Sequence, residues 1–179
     1  MRARALTRSN AGFTLLELAV VIFIMGLLLS LVMPYLGGFK RAALRSQARR
    51  LAGRATFMYD EAAGHKVVLR LTFNLDLNGY AVQRLDPYAM RPVFEPDESP
   101  AAGNVFLPPE IRIRDVTVEG IGTARRGSIA TNFYPEGYVD ATIVHLENSG
   151  GEVMTLMFNP LTGKVAIAQG DVQPPGMYR

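Results

Sequence analysis

The sequence predicts an α+β protein in which one long N-terminal helix packs on an antiparallel β-sheet head. Residues 18–39 are 22 consecutive positions without a charged side chain, which favours a helix that is apolar on all sides. An apolar stripe at helical spacing follows, and beyond Gly64 apolar and polar residues alternate as in half-buried strands. The 179 residues leave room for one modest domain after the helix.

The uncharged run is long enough to cross a membrane. A helix of that length rises roughly 33 Å, and the hydrocarbon core of a bilayer is about 30 Å thick. Arg2, Arg4 and Arg8 precede the run, which places residues 1–12 in the cytoplasm and the rest of the chain outside. We therefore expect residues 13–39 to be the transmembrane half of the helix.

The helix is expected to continue as an amphipathic segment over residues 40–64. Apolar residues recur there at spacings of three and four, which is the period of a helix face. They are Leu44, Ala48, Leu51, Ala55, Met58 and Ala62. We expect one helix from Phe13 to Ala63 that ends at Gly64, with this stripe buried against the sheet of the head.

Residues 65–179 are expected to form the β head. The predicted strands are 67–73, 80–85, 111–113, 116–118, 129–133, 141–146, 153–158 and 164–168. The first two are joined across Asn78-Gly79, a strong hairpin signal, and turns are expected at 149–151 and 161–163. Six prolines within residues 86–109 predict a long irregular connection.

The hexapeptide Gly12-Phe13-Thr14-Leu15-Leu16-Glu17 resembles the processing site of type IV prepilins and pseudopilins. The resemblance implies that a prepilin peptidase cuts after Gly12 and methylates the new amino terminus at Phe13. It also implies that Glu17, the fifth mature residue, acts in filament assembly. In assembled fibres of that family the segment between residues such as Gly26 and Pro34 is unwound, whereas Pro34 alone predicts a simple kink.

Two other interpretations of the N-terminus fit less well. An ordinary secretory signal is cleaved after its apolar run, behind small residues, and Met33-Pro34-Tyr35-Leu36-Gly37 is a poor match. A plain signal anchor explains the hydrophobicity but leaves Gly12 beside Phe13, and the acid at Glu17, without a reason.

Three further segments resemble the GspH/FimT pseudopilin family: Leu107–Ile111, Phe133–Gly137 and Asn159–Val165. The resemblance implies a minor pseudopilin of a type II secretion system, near the tip of a periplasmic pseudopilus. Such a protein is no enzyme, crosses the inner membrane once with its head in the periplasm, and meets the peptidase, membrane lipid and other major and minor pseudopilins. The alternatives are a FimT-like minor pilin of a type IV pilus and a DNA-binding receptor on such a fibre.

The sequence offers no established catalytic motif. The absence of cysteine excludes disulfides and thiolate catalysis. His65 and His145 are expected to be surface or packed residues rather than ligands. Residues 74–79 imitate an EF-hand loop, but its twelfth position is Leu85, so a hairpin is favoured. The acids at positions 95, 97 and 98 are expected to be solvated, and we expect no metal or cofactor.

Charge separates along the chain. Residues 40–54 carry six basic and no acidic side chains, whereas residues 55–179 carry 10 basic and 15 acidic ones. The basic segment could attract nucleic acid or anionic headgroups, or it could be a solvated face that meets the acidic heads of adjacent subunits. Arg125-Arg126 is the only basic doublet of the head and is where DNA would bind, although the acidic head makes nucleic acid an unexpected partner.

Overall fold

The structure is a computed structural model that describes residues 13–86, 88–89, 91, 93–96 and 103–172, with the backbone alone for residues 31–39. The chain divides after Gly38 into two compact units. The helix α1 (Leu15–His65) supplies the first unit and also the beginning of the second, residues 39–179. We call the second unit the head unit, and its part after the helix, residues 66–179, the head. The predicted leader, residues 1–12, lies outside the described residues.

In the first unit, the large apolar side chains described in residues 13–30 are exposed. Examples are Leu15, Ile22, Phe23 and Leu29. Among the described residues, no helical stretch combines the length and apolarity needed to cross a membrane. The transmembrane segment 13–39 therefore stays a prediction. Helical backbone continues across Gly26 and Pro34, and unwinding between them in a fibre also stays a prediction.

The amphipathic half of α1 packs on the head as the sequence predicts. All six stripe residues are buried, with Leu51 1% exposed and Ala55 0% exposed. The stripe belongs to one hydrophobic core that also contains inward-facing residues of both β-sheets, such as Phe73 and Val116. Along the buried stripe small alanines alternate with larger side chains: Ala48, Ala55 and Ala62 alternate with Leu44, Leu51 and Met58.

The end of α1 differs from the prediction. The helix continues past Gly64 to His65, and the residue with left-handed backbone is Lys66, at φ 57°. The N–H of Val67 donates to the carbonyl of Ala62 at 3.2 Å, which is the bond of a Schellman cap. A left-handed lysine costs on the order of 1–2 kcal/mol. The cap and a hydrogen bond from Lys66 Nζ to the carbonyl of Pro135, 3.0 Å, offset that cost.

Eleven strands follow the helix within the described residues: β1 (Leu69–Asn74), β2 (Gly79–Asp86), β3 (Val93–Pro96), β4 (Val105–Phe106), β5 (Ile111–Val118), β6 (Gly122–Ala124), β7 (Ser128–Tyr134), β8 (Tyr138–Val139), β9 (Thr142–Asn148), β10 (Val153–Phe158) and β11 (Val165–Gln169). They form two antiparallel sheets rather than the single sheet expected. The first has the order β3-β2-β1-β7-β8, with β4 on β2, and the second has the order β11-β10-β9-β5-β6.

Several details of the strand prediction are wrong. Two short strands, β3 and β4, lie within the predicted irregular connection 86–109, and two more, β6 and β8, lie where no strand is predicted. The two segments predicted around position 114 form the single strand β5, because a register shift between Ile113 and Asp115 accommodates the residue that broke the alternation. The first hairpin closes over residues 75–78 instead of a two-residue turn, with Asn78 at φ 51°.

Candidate functional sites

The first turn of α1 is capped by residues of the predicted processing motif. Thr14 Oγ1 accepts a hydrogen bond from the backbone N–H of Glu17 at 3.2 Å, and the Thr14 carbonyl accepts one from Leu18 at 3.1 Å. Thr14 is therefore the N-cap and Glu17 the third helical residue, which is the spacing of a capping box. This capping role was not predicted from the sequence, although Thr-x-x-Glu is its signature.

The position of the capped turn shows which residue would precede the helix after cleavage of the chain. Phe13 is 76% exposed, and Gly12 lies outside the described residues. Cleavage after Gly12 would leave Phe13 as the single residue before the N-cap. Its new amine would then lie near the positive end of the helix dipole, which disfavours a cation. Glu17, the acidic residue of the first turn, carries the charge that opposes this effect.

Tyr59 is the point where two turns of the head meet the helix. Its hydroxyl lies 2.6 Å from the carbonyl oxygen of Gly137 and 2.8 Å from that of Leu161, so it can donate to either. Gly163, whose backbone φ is 63°, packs against the side chain of Tyr59. Two of the three segments that resemble the GspH/FimT family, 133–137 and 159–165, therefore fasten the helix to the head.

A closed set of ion pairs lies on the outer side of the second sheet. We call Asp115, His145, Asp171 and Arg114 the His145 cluster. His145 Nδ1 is 2.6 Å from Asp115 Oδ1, and Arg114 Nε donates to Asp115 Oδ2 at 2.8 Å. Arg114 also donates to Asp171 Oδ2 at 2.7 Å. His145 Nε2 lies 3.2 Å from Asp171 Oδ1, but its geometry is not that of a hydrogen bond.

The members of the cluster differ in burial, and burial together with their hydrogen bonds shifts the pKa values of Asp115 and Arg114. His145 is 3% exposed and Asp115 6% exposed, whereas Asp171 is about half exposed. Burial acts to raise the pKa of Asp115, but hydrogen bonds from His145 and Arg114 outweigh it, and the pKa lies below its ordinary value. Burial acts to lower the pKa of Arg114, yet its bonds to Asp115 and Asp171 raise it.

The cluster borders a cavity of about 300 Å³ that also contains the predicted DNA-contact residue Arg125. Thr117 and Thr123, whose hydroxyls are 2.8 Å apart, complete the lining. Arg126 is exposed in the same turn between β6 and β7. Of the two adjacent arginines, Arg125 therefore borders the cavity and Arg126 does not.

The two histidines have different surroundings. His65 is an exposed residue in the last turn of α1, 3.2 Å from Glu61. His145 is packed within the sheet and paired with Asp115, 30 positions earlier in the chain. No local sequence signal links residues so far apart, and only the pairing of β5 with β9 brings them together.

The acidic and amide side chains of the segment that imitates an EF-hand loop, residues 74–79, form hydrogen bonds with backbone groups of turns and strands instead. Asn74 Oδ1 accepts from the N–H of Leu77, and Asp76 Oδ2 accepts from Gly127. Asn78 donates to the carbonyl of Ile111 at 2.7 Å and accepts from the N–H of residue 113 at 2.9 Å. Within the described residues no group of three or more acidic, histidine or cysteine side chains could hold a metal. Asp97 and Glu98 lie outside that part of the chain.

The fold and the amino-terminal motif are those of a type IV pilin-like protein. The prokaryotic N-terminal methylation motif matches residues 7–33. No curated protein matches the chain significantly.

Two solved structures of the minor pseudopilin EpsH from the type 2 secretion system of Vibrio cholerae are similar to it. One is 12% identical, with a TM-score of 0.56, and covers 74% of this chain and 98% of its own. The other is 10% identical, with a TM-score of 0.53, and covers 70% and 95%. At these identities the likeness is one of fold, and it confirms the predicted H-type pseudopilin architecture.

Proposed function

We propose that this chain is a minor pseudopilin of a type II secretion system, a structural subunit rather than an enzyme. The proposal rests on one combination of features: the chain has a methylation motif and a capped helix at its N-terminus, and it has a two-sheet head whose fold is similar to that of EpsH. The subunit would wait in the inner membrane with its head in the periplasm. It would then enter a short pseudopilus, near the tip, with other major and minor pseudopilins.

The first requirement is processing by a prepilin peptidase at Gly12. The mature chain would begin at an N-methylated Phe13, one residue before the N-cap Thr14. Gly12→Val should leave the full-length precursor in the membrane, because the peptidase needs a small residue before the cut. Ala11→Val is the control, since it adds the same bulk one position earlier. Intact-mass spectrometry of the extracted protein distinguishes the two. A mature start after Gly37, or no cleavage of the wild type, would refute the proposal.

The second requirement concerns the charge of Glu17. A free amine at Phe13 has an unperturbed pKa near 8 and is mostly positive at neutral pH. Burying it unpaired among packed helices is costly. A carboxylate about 4 Å away would gain roughly 4 kcal/mol at an effective dielectric near 20, before desolvation is subtracted. Glu17 of one subunit would therefore neutralise the amine of its neighbour and fix the register of assembly.

Glu17→Gln tests this role cleanly. A capping box accepts Gln as well as Glu at its third helical position, so the variant keeps the helix start and removes only the charge. We expect the variant to be cleaved normally but to lose co-purification with its partner pseudopilins. Thr14→Ala is the matched control for loss of the cap. Normal assembly of the Gln variant would limit Glu17 to peptidase recognition and helix capping.

A DNA-binding minor pilin is the second candidate, and the exposed Arg126 beside Arg125 is the feature that favours it. Electrostatic binding to DNA is strongest at low salt. Binding of duplex DNA at low salt that is lost when both arginines become alanine would support this alternative. The same chain failing to bind under those conditions would remove it and leave the secretion role.

A further inference from the structure

We infer that Thr14 is a positioning residue for the processing reaction, because its side chain stops α1 before the helix reaches the bond between Gly12 and Phe13. The inference rests on the proposed function, under which a prepilin peptidase cuts that bond. Phe13 and Thr14 lie outside the helix, which begins at Leu15. Whatever fixes this start therefore decides how far the cut bond lies from helical backbone.

The backbone N–H of Glu17 has two alternative acceptors. In an α-helix each N–H bonds the carbonyl four residues earlier, which for Glu17 is the carbonyl of Phe13. The structure instead shows the Glu17 N–H donating to Thr14 Oγ1 at 3.2 Å. The helical pattern starts one residue later, where the N–H of Leu18 donates to the carbonyl of Thr14 at 3.1 Å. The threonine hydroxyl thus replaces the hydrogen bond that would lengthen the helix by one residue.

Growth by one residue more would involve the carbonyl group at the cut. The N–H of Leu16 would then bond the carbonyl of Gly12. Hydrolysis adds water across the bond between that carbonyl carbon and the nitrogen of Phe13, which leaves a carboxylate on Gly12 and an amine on Phe13. Proteases cleave the opened form of a structured segment, and the rate follows the population of that form when opening is fast. Growth of α1 over the bond would therefore slow processing.

Packing does not fix the start of the helix. The side chains of Phe13, Leu15 and Leu16 are exposed, so the helix start depends on the local cap at Thr14. The preceding sequence offers other caps, because Ser9 and Asn10 are both of the preferred N-cap type. A helix that began after Asn10 would hold the cut bond in its first turn. Thr14 Oγ1 favours the later start over this earlier one.

A direct contact between the peptidase and the Thr14 hydroxyl is the alternative, and two substitutions separate it from capping. Thr14→Val keeps the branched shape of the side chain and removes the capping oxygen. Thr14→Asn removes the hydroxyl and keeps an N-cap at least as good as threonine. Capping predicts slow cleavage of the valine variant alone, whereas a direct contact predicts slow cleavage of both variants.

The test uses the full-length precursor in mild detergent with purified prepilin peptidase. Intact-mass spectrometry follows cleavage after Gly12 and gives kcat/KM. We expect Thr14→Val to lower kcat/KM by up to about fivefold, the equilibrium factor of one lost N-cap. Thr14→Asn and Thr14→Ser should match the wild type. Ser30→Ala is the control, because it removes a hydroxyl that donates to the carbonyl of Leu27 within the same helix and leaves the helix start intact.

A proline at the first helical position provides a second, independent test. Proline is favoured at that position, and it disfavours helical backbone in the residue before it. Leu15→Pro therefore fixes the helix start without the threonine cap, and in this background Thr14→Val should leave kcat/KM unchanged. Amide exchange of Leu16, followed by NMR in the uncleaved precursor, should slow in Thr14→Val and not in Thr14→Asn, because growth of the helix gives this N–H a partner.

The outcomes separate this inference from the proposed function. If the wild type is cleaved and Thr14→Val is cleaved equally fast, the proposed function stands and the positioning role of Thr14 is refuted. Slow cleavage of both Thr14→Val and Thr14→Asn, or a valine effect that persists beside Leu15→Pro, would overturn the role in favour of direct recognition by the peptidase. A wild-type chain that is not cleaved would refute both.

Discussion

Gly163→Ala should be among the most destabilising single-methyl additions in the head. The residue has φ 63°, in the left-handed region, and its α-carbon lies against the root of Tyr59. A built methyl group would lie 2.5 Å from Cδ2 and 2.6 Å from Cβ of Tyr59, and closer still to Cγ. These atoms sit at the base of the side chain, so no small rotation of the ring relieves the overlap.

The expected magnitude has two parts. A left-handed alanine costs about 1–2 kcal/mol relative to glycine, and forcing a methyl into a packed contact costs about 1–3 kcal/mol. Together they predict a loss of roughly 2–5 kcal/mol. Gly120→Ala is the matched control. Gly120 has φ 77°, but a methyl there has no neighbour within 4 Å, so only the backbone part should remain.

Thermal unfolding of the detergent-solubilised chain, followed by far-UV circular dichroism, measures the difference. For a domain of this size each 1 kcal/mol lowers the Tm by roughly 2–4 °C. We expect Gly163→Ala to lower the Tm at least twice as far as Gly120→Ala. In a Tyr59→Ala background the added cost of Gly163→Ala should fall to that of the control, which a double-mutant cycle resolves. Equal losses for the two glycines would refute the clash.

Two further predictions concern the core and the buried carboxylate. Leu51→Ala should lower the free energy of unfolding by about 2–5 kcal/mol, because Leu51 is fully buried. Phe57→Ala on the same helix is the control and should cost much less, because Phe57 is about half exposed. Equal small losses in the two variants would mean that the stripe does not stabilise the head. Asp115→Asn should cost about 1.5–3 kcal/mol at pH 7. Because the pKa of Asp115 is lowered on folding, its contribution exists above the unfolded value near 3.9 and is lost as pH falls, so the gap to wild type should close in acid melts. A gap that persists at low pH would contradict this.

The helix and most strands could be predicted from the sequence because each depends on a local period. The stripe from Leu44 to Ala62 needs only helical spacing, and β1 needs only alternation over its six residues. Strand pairing is different, since the period does not say which strands neighbour each other. For this reason the sequence predicted one sheet where the structure has two, and it did not predict the short strands β3 and β4, which are held by pairing with β2.

The helix end and the polar cluster show two other limits. Gly64 was the better residue for a left-handed cap by local preference, but the contacts of Lys66 with the head moved the cap two residues further. His145 and Asp115 carry no signal to each other in the sequence, and their bond exists because β9 pairs with β5. By contrast, Thr14 and Glu17 are three residues apart, so the capping box was readable from sequence alone.

The attachments of the amphipathic helix bear on how such a subunit would work under the proposed function. Under that proposal the N-terminal helix would enter a fibre, and any force on the helix would have to pass to the head. Within the head unit the helix is tied near its start by Arg41 to Glu152, near its end by Lys66 to Pro135, and between them by Tyr59. The first pair is exposed and should weaken with salt. Tyr59 combines hydrogen bonds with the packing of Gly163, so the load should depend mainly on that contact, and Gly163→Ala should impair assembly even where the chain is still processed.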